Sequence, residues 1–175
     1  MTKSELKTMI KEMLREELSK ESMNEGIFDS KAKKQKDYDT LIKQVFNEDT
    51  NSIYLDVVDN CDNLLREIAD TVGEDSNSKN LGKNIITMIK NARATINKTP
   101  QSLVKNIISL GTKYEPNSTY LEELENFIPK VGKLQTAGKQ GYKAMEYLFG
   151  KVNTELNKRL NDTIDFLSQE FGLIK

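Results

Sequence analysis

From Met145 to Phe171, large apolar side chains recur every three or four residues: Met145, Leu148, Phe149, Val152, Leu156, Leu160, Ile164, Leu167 and Phe171. An α-helix, with 3.6 residues per turn, gathers such positions on one face. The spacing predicts a helix of about 30 residues, with Gly150 tolerated inside it at a cost of about 1 kcal/mol relative to Ala. A helix so long and one-sided must bury its stripe against other elements. The rest of the chain repeats the same period.

Asp29 or Ser30 offers a cap for a helix carrying Tyr38, Leu41, Ile42, Val45 and Phe46. From Asn51 or Ser52 to Gly73 a further helix aligns Val57, Val58, Cys61, Leu64, Leu65, Ile68 and Val72, with Asp56, Asp59, Glu67 and Asp70 opposite and Asp62 nearer one edge. After the turn GEDSNS, a helix over about 79–98 turns Leu81, Ile85, Met88, Ile89, Ala92 and Ile96 inward. Thr99-Pro100 reads as a cap followed by a first-turn proline. It starts a short helix with Leu103, Val104, Ile107 and Ile108, expected to end at Gly111. Asn117 or Ser118 begins another, with Tyr120, Leu121, Leu124, Phe127 and Ile128, which Pro129 should stop or kink. Gly132, Gly138 and Gly141 make Val131 to Gly141 a loop or a poorly stable helix. No segment shows convincing period-2 alternation. The expected fold is all-α: a helical bundle of five to seven helices over residues 26–175, preceded by a separable amphipathic helix over residues 1–25.

That first segment places Leu6, Met9, Ile10, Met13, Leu14 and Leu18 on one stripe, with Ser4 as its cap. Such a stripe suits a partner groove or an oligomerisation arm. It has no signal-peptide core and the chain has no bilayer-spanning apolar run. Residence in a cytoplasm or a virion is expected, without secretion or membrane insertion.

The chemistry of the chain is narrowed by what it lacks. It has no histidine and a single cysteine, Cys61. Disulfide scaffolds, zinc fingers and Ser-His-Asp or Cys-His enzymes are thereby excluded. Cys61 sits mid-stripe and reads as a small buried hydrophobe. Gly138-Lys139 has neither the spacing nor the preceding strand of a phosphate-binding loop. Glu122, Glu123 and Glu125 lack the histidines of a di-iron bundle. No reaction class, metal or cofactor follows, and the expectation is a protein that is not an enzyme.

Charge is balanced overall, 26 basic against 27 acidic residues, so any electrostatic partner must meet a local patch. Between Lys79 and Lys113 there are seven basic residues and no acid. Helical geometry sets Lys79, Lys83, Lys90 and Arg93 in one narrow stripe, which Ile86 shares. The stripe is a candidate anion-binding face, with weak nucleic-acid contact as one use. The plainer alternative is rim attraction to the acidic 56–75 helix, at about 0 to 1 kcal/mol per exposed pair; no aromatic groups interleave the stripe for base stacking. Lys31, Lys33, Lys34 and Lys36 form a second basic run, at the wrong end of a helix for its dipole, where fraying is expected.

Between the first segment and the body lies Met23-Asn24-Glu25-Gly26: a large apolar residue, any residue, glutamate, then a small residue. This pattern resembles the sites cut by the prohead protease of T4-like tailed phages, although isoleucine or leucine is usual where Met23 stands. The opening SELKTMIKEMLREEL followed by MNEGIFDS is similar to the N-terminal segments of internal head proteins of that family. The resemblance spans about 30 residues and implies a virion protein. Its amphipathic segment would dock on a capsid, scaffold-core or other virion protein and be cut after Glu25. Two alternatives stand beside it: a cytosolic interaction module whose first helix binds a partner or forms homo-oligomers, and a nucleic-acid-binding protein using the 79–113 stripe.

Overall fold

The computed structural model of the protein describes residues 30–73 and 77–173. The chain divides into two units, Met1–Asp37 and Tyr38–Lys175. Of the first, only residues 30–37 are described, and they are helical and exposed. The lysine run expected to fray is therefore helical from residue 30 onward.

Six helices and no strand are present among the described residues: α1 (30–46), α2 (Thr50–Gly73), α3 (Ser78–Thr95), α4 (Ser102–Tyr114), α5 (Thr119–Thr136) and α6 (Gly138–Glu170). The all-α bundle expected from periodicity is the observed fold. None of these helices is long and apolar enough to cross a membrane.

The body is built around α2. Ile53, Val57, Val58, Cys61, Leu64, Leu65, Ile68, Ala69 and Val72 are all buried, an arc wide enough to meet several neighbours at once. Contacts along its length climb in step with α6: Lys151 lies over Tyr54, Arg159 pairs with Asp59, Thr163 donates to Asp62, and Arg66 stacks on Phe166. The two helices run parallel. Towards α5 the order reverses, with Ser118 donating to Glu67 while Phe127 meets Phe46 and lines a hollow with Val57. Phe46, Phe127 and Phe149 form an aromatic run joining α1, α5 and α6, with ring centroids 5.7 and 5.8 Å apart.

Three element boundaries differ from those expected, each for a local reason. α2 starts at Thr50 because the carboxylate of Asp49 accepts from the backbone N–H groups of Asn51 and Ser52, at 3.0 and 3.1 Å. α4 begins at Ser102, beyond Thr99-Pro100, and runs through Gly111 to Tyr114. Gly111 is a contact glycine: a Cβ there would sit 2.8 Å from a methyl of Leu64 and 3.0 Å from one of Leu121. The stop comes instead at Glu115, whose backbone the following Pro116 keeps out of the helical region.

α5 continues through Pro129 to Thr136, so of the two alternatives for Val131 to Gly141, loop or helix, most of the stretch is helix. Pro129 is exposed, leaving the helix bond it deletes on the solvent side, while Leu124, Phe127, Val131 and Leu134 keep the buried stripe unbroken. The break falls at Gly138, whose φ of +76° suits a residue without a Cβ. Gly141 in the next turn lies against the Leu134 carbonyl and closes the hairpin between α5 and α6.

In α3 the buried positions are Gly82, Ile85, Ile86, Ile89 and Ala92, whereas Met88, expected inside, is 39% exposed. The helix is rotated about its axis because the ring of Phe171, just after α6, lies directly on Gly82. Met88 is carried outward and Ile86 inward.

These packings separate the glycines by consequence. Gly82→Ala should expel the Phe171 ring and cost about 1.5–3 kcal/mol. Gly132→Ala and Gly150→Ala add a methyl that meets nothing within 4 Å, and each should raise stability by about 0.5–1 kcal/mol. Urea unfolding of the three variants measures both signs.

The Asp49 carboxyl is held below its usual pKa, first by the Ser52 backbone N–H and then by the Ser52 hydroxyl. A lowered folded-state pKa means the cap stabilises above the unfolded value, about 3.9, and is lost as pH falls through the folded value. Asp49→Asn, which keeps the capping oxygen, should show a smaller fall in urea midpoint between pH 6 and pH 3 than the parent protein.

Candidate functional site

The stripe Leu6, Met9, Ile10, Met13, Leu14 and Leu18 and the cleavage-like Met23, Glu25 and Gly26 lie outside the described residues. The other predicted face, on α3, is described. Lys79, Lys83 and Lys90 are exposed, with Ile86 buried among them. Arg93 is half-buried and turned towards α6, its Nε donating to Asn157 Oδ1 at 2.9 Å and its Nη1 to Asn161 Oδ1 at 3.3 Å. Arg93 is thus a strut between α3 and α6, and the cationic stripe reduces to three solvated lysines flanking an apolar residue.

The acidic and basic helices, α2 and α3, are neighbours, but no ion pair joins them among the described residues. Among the described residues, the ion pair that α2 makes with another helix runs to α6, from Asp59 to Arg159. Asp62 is occupied by Arg66 of its own helix and by the Thr163 hydroxyl. Asp59 is the chief group holding the Arg159 guanidinium in its charged form, through a direct hydrogen bond. Glu67 of α2 accepts from Ser118, and Thr71 of α2 donates to Glu115 after α4, while Asp56 and Asp70 stay exposed.

Chemistry inside the body is sparse. Cys61 is fully buried and its thiol is pushed far up, first by burial and then by the Asp62 charge, so it stays protonated. No group of three metal-ligating side chains occurs among the described residues. The aromatic residues in the first half of α6 lie apart: Phe149 is in the core, Tyr142 is 48% exposed, and Tyr147 stands against Tyr38.

The concave surfaces are modest. A hollow of about 110 Å³ between the end of α1, α2 and α5 has Phe46, Ile53, Val57, Leu124 and Phe127 as its floor and Glu48, Asp56 and Glu123 at its rim. An asparagine-lined groove of about 380 Å³ runs between α3 and α4 beside Met88. A trough of about 460 Å³ lies along α2 and α6, lined by Tyr54, Tyr147, Gly150, Lys151, Thr154, Glu155 and Lys158.

In this trough the Lys151 ammonium sits between two aromatic rings, 5.4 Å from the centroid of Tyr54 and 5.3 Å from that of Tyr147. Tyr147 is kept protonated above its ordinary value, first by burial and then by the Asp39 carboxylate. Sequence reasoning missed this place, because it searched for runs of lysine. The legible signal was the spacing of Lys143, Tyr147, Lys151 and Thr154 down one face of the longest helix.

No family model matches the chain, and comparison with curated proteins and with solved structures finds no match.

Removing the strut and reversing the solvated lysines should have different effects. Arg93→Ala gives up two hydrogen bonds and should lower stability by about 1–2 kcal/mol. Lys83→Glu/Lys90→Glu should change it by less than about 0.5 kcal/mol. Urea midpoints of the two proteins provide the comparison.

Proposed function

We propose that this chain is a non-enzymatic virion protein, in which residues 1–25 bind an assembly partner and the helical body is the part delivered or built in. The observation that carries this reading is a contrast between the sequence of the first segment and the core of the body. The body, Tyr38–Lys175, forms a continuous core from α1 through α6, and the large apolar side chains left exposed among its described residues are single ones on α2, α3 and α6: Leu55, Met88 and Tyr142. The first segment carries six large apolar residues at helical spacing in its sequence. A stripe of that size needs an apolar counter-surface to be stable in water. A capsid or scaffold-core partner supplies one, and the Met23-Asn24-Glu25-Gly26 pattern supplies the means of release once assembly is complete.

The inward commitment of the body's polar groups supports a passive role. Asp59, Asp62, Glu67, Arg93 and Arg159 each join helices of the bundle rather than converge on a hollow. Intact-mass measurement of the protein from purified particles tests the reading. A species beginning at Gly26 is the expected result, and absence of the protein from particles would reject it.

A further inference from the structure

Helix α6 presents a cationic, aromatic-bearing face that the bundle itself does not use. Lys139, Lys143, Lys151 and Lys158 lie within one stripe roughly 28 Å long, and Tyr147, Gly150 and Thr154 fall between them. The stripe contains no acid over that length. Of the carboxylates beside the stripe, Asp39 is engaged with Tyr147 and Glu155 with Lys158 and Arg159, while Glu146 is exposed just beyond its edge. Among the described residues Lys151 has no carboxylate partner; its charge rests on two tyrosine faces. An ammonium held this way keeps its net charge for an anion arriving from solvent.

Gly150 adds a second, independent observation. Glycine is poorly suited to the middle of a 33-residue helix. Gly82, Gly111 and Gly141 are accounted for by groups of this chain that crowd them, but nothing stands within 4 Å of the place where a Gly150 Cβ would be. Gly132 is equally open, yet it borders no cationic trough. At Gly150 the bare backbone forms part of the trough, with Lys151 beside it and the Thr154 hydroxyl one turn on. A ligand coming from outside would meet bare backbone here.

We propose that this face of α6, with Tyr54 of α2, is a binding site for single-stranded nucleic acid. Lys139, Lys143 and Lys151 track successive phosphates, Lys158 being paired with Glu155, and the Tyr54 ring, rather than Tyr147 with Tyr38 against it, offers a sequence-tolerant platform for a base. The open backbone at Gly150 lets the strand lie close. This site is distinct from the α3 stripe, which has no aromatic groups and loses Arg93 to the bundle. It does not depend on whether the chain enters a particle.

Fluorescence anisotropy of labelled (dT)20 against the full chain, over a series of salt concentrations, tests the site. The expected affinity is in the range of roughly 10⁻⁴ to 10⁻⁶ M, with a slope near −2 for log K against log salt if about three phosphates are neutralised. Lys143→Glu/Lys151→Glu should weaken binding at least tenfold, and Lys143→Glu alone, an exposed change that leaves the core intact, by severalfold. Gly150→Ala should bind more weakly although it is the more stable protein, whereas Gly132→Ala should bind as the parent does. Failure to bind (dT)20 at 50 mM salt, or binding within twofold of the parent in the double variant, would overturn the proposal. So would an equal loss in Lys83→Glu/Lys90→Glu. A polyglutamate peptide of matched charge that competes as well as unlabelled (dT)20 would also overturn it, assigning the face to an acidic protein instead.

Discussion

The architecture depends on the parallel contact between α2 and α6. Two antiparallel helices can be joined by a few residues, but two parallel ones need a return path as long as themselves. Here α3, α4 and α5 provide it, and each packs against α2 or α6 on the way. The wide apolar arc of α2 makes this arrangement possible, since a narrow stripe could serve one neighbour and this one serves four. Burial of aliphatic side chains supplies the driving force.

Polar contacts along the seams have a different task. A pair such as Asp59 with Arg159 is well exposed and contributes little to stability by itself. The positions of these contacts fix register. Asp62 with Thr163 ties α2 to α6, Glu67 with Ser118 ties α2 to the start of α5, and Arg93 with Asn157 ties α3 to α6. Sliding either helix by one turn would separate them. Apolar side chains alone are tolerant of such slips, as they pack almost equally well against many aliphatic neighbours.

Much of the fold was legible in the sequence because periodicity reports burial. The stripes of α2, α5 and α6 were readable residue by residue, and Leu64, Leu124 and Leu156 stand where their spacing puts them. What escaped were features set by contacts between helices. Gly111 looks like a stop signal until Leu64 and Leu121 are seen to occupy the room its side chain would need. Pro129 looks like a breaker until its exposure is known. Met88 and Ile86 exchange places because the Phe171 ring, some eighty residues away in the chain, decides how α3 is rotated. The candidate sites were less legible still. Periodicity placed Lys79, Lys83 and Lys90 on the surface, but it could not say that Arg93 is spent on two asparagines. Nor could it bring Tyr54 of α2 beside Lys151 of α6.

The parallel pairing also has a consequence during synthesis. α2 leaves the ribosome about a hundred residues before the segment that covers it, as the separation of Asp62 from Thr163 shows. Until α6 arrives, Val58, Cys61, Leu65 and Ile68 have only part of their final shelter. Nascent chains with such a delay are exposed to premature association at high local concentration. The carboxylates along α2, Asp56, Asp59, Glu67 and Asp70, are all on the chain by then, and their mutual repulsion between neighbouring copies keeps the waiting helix apart from others of its kind.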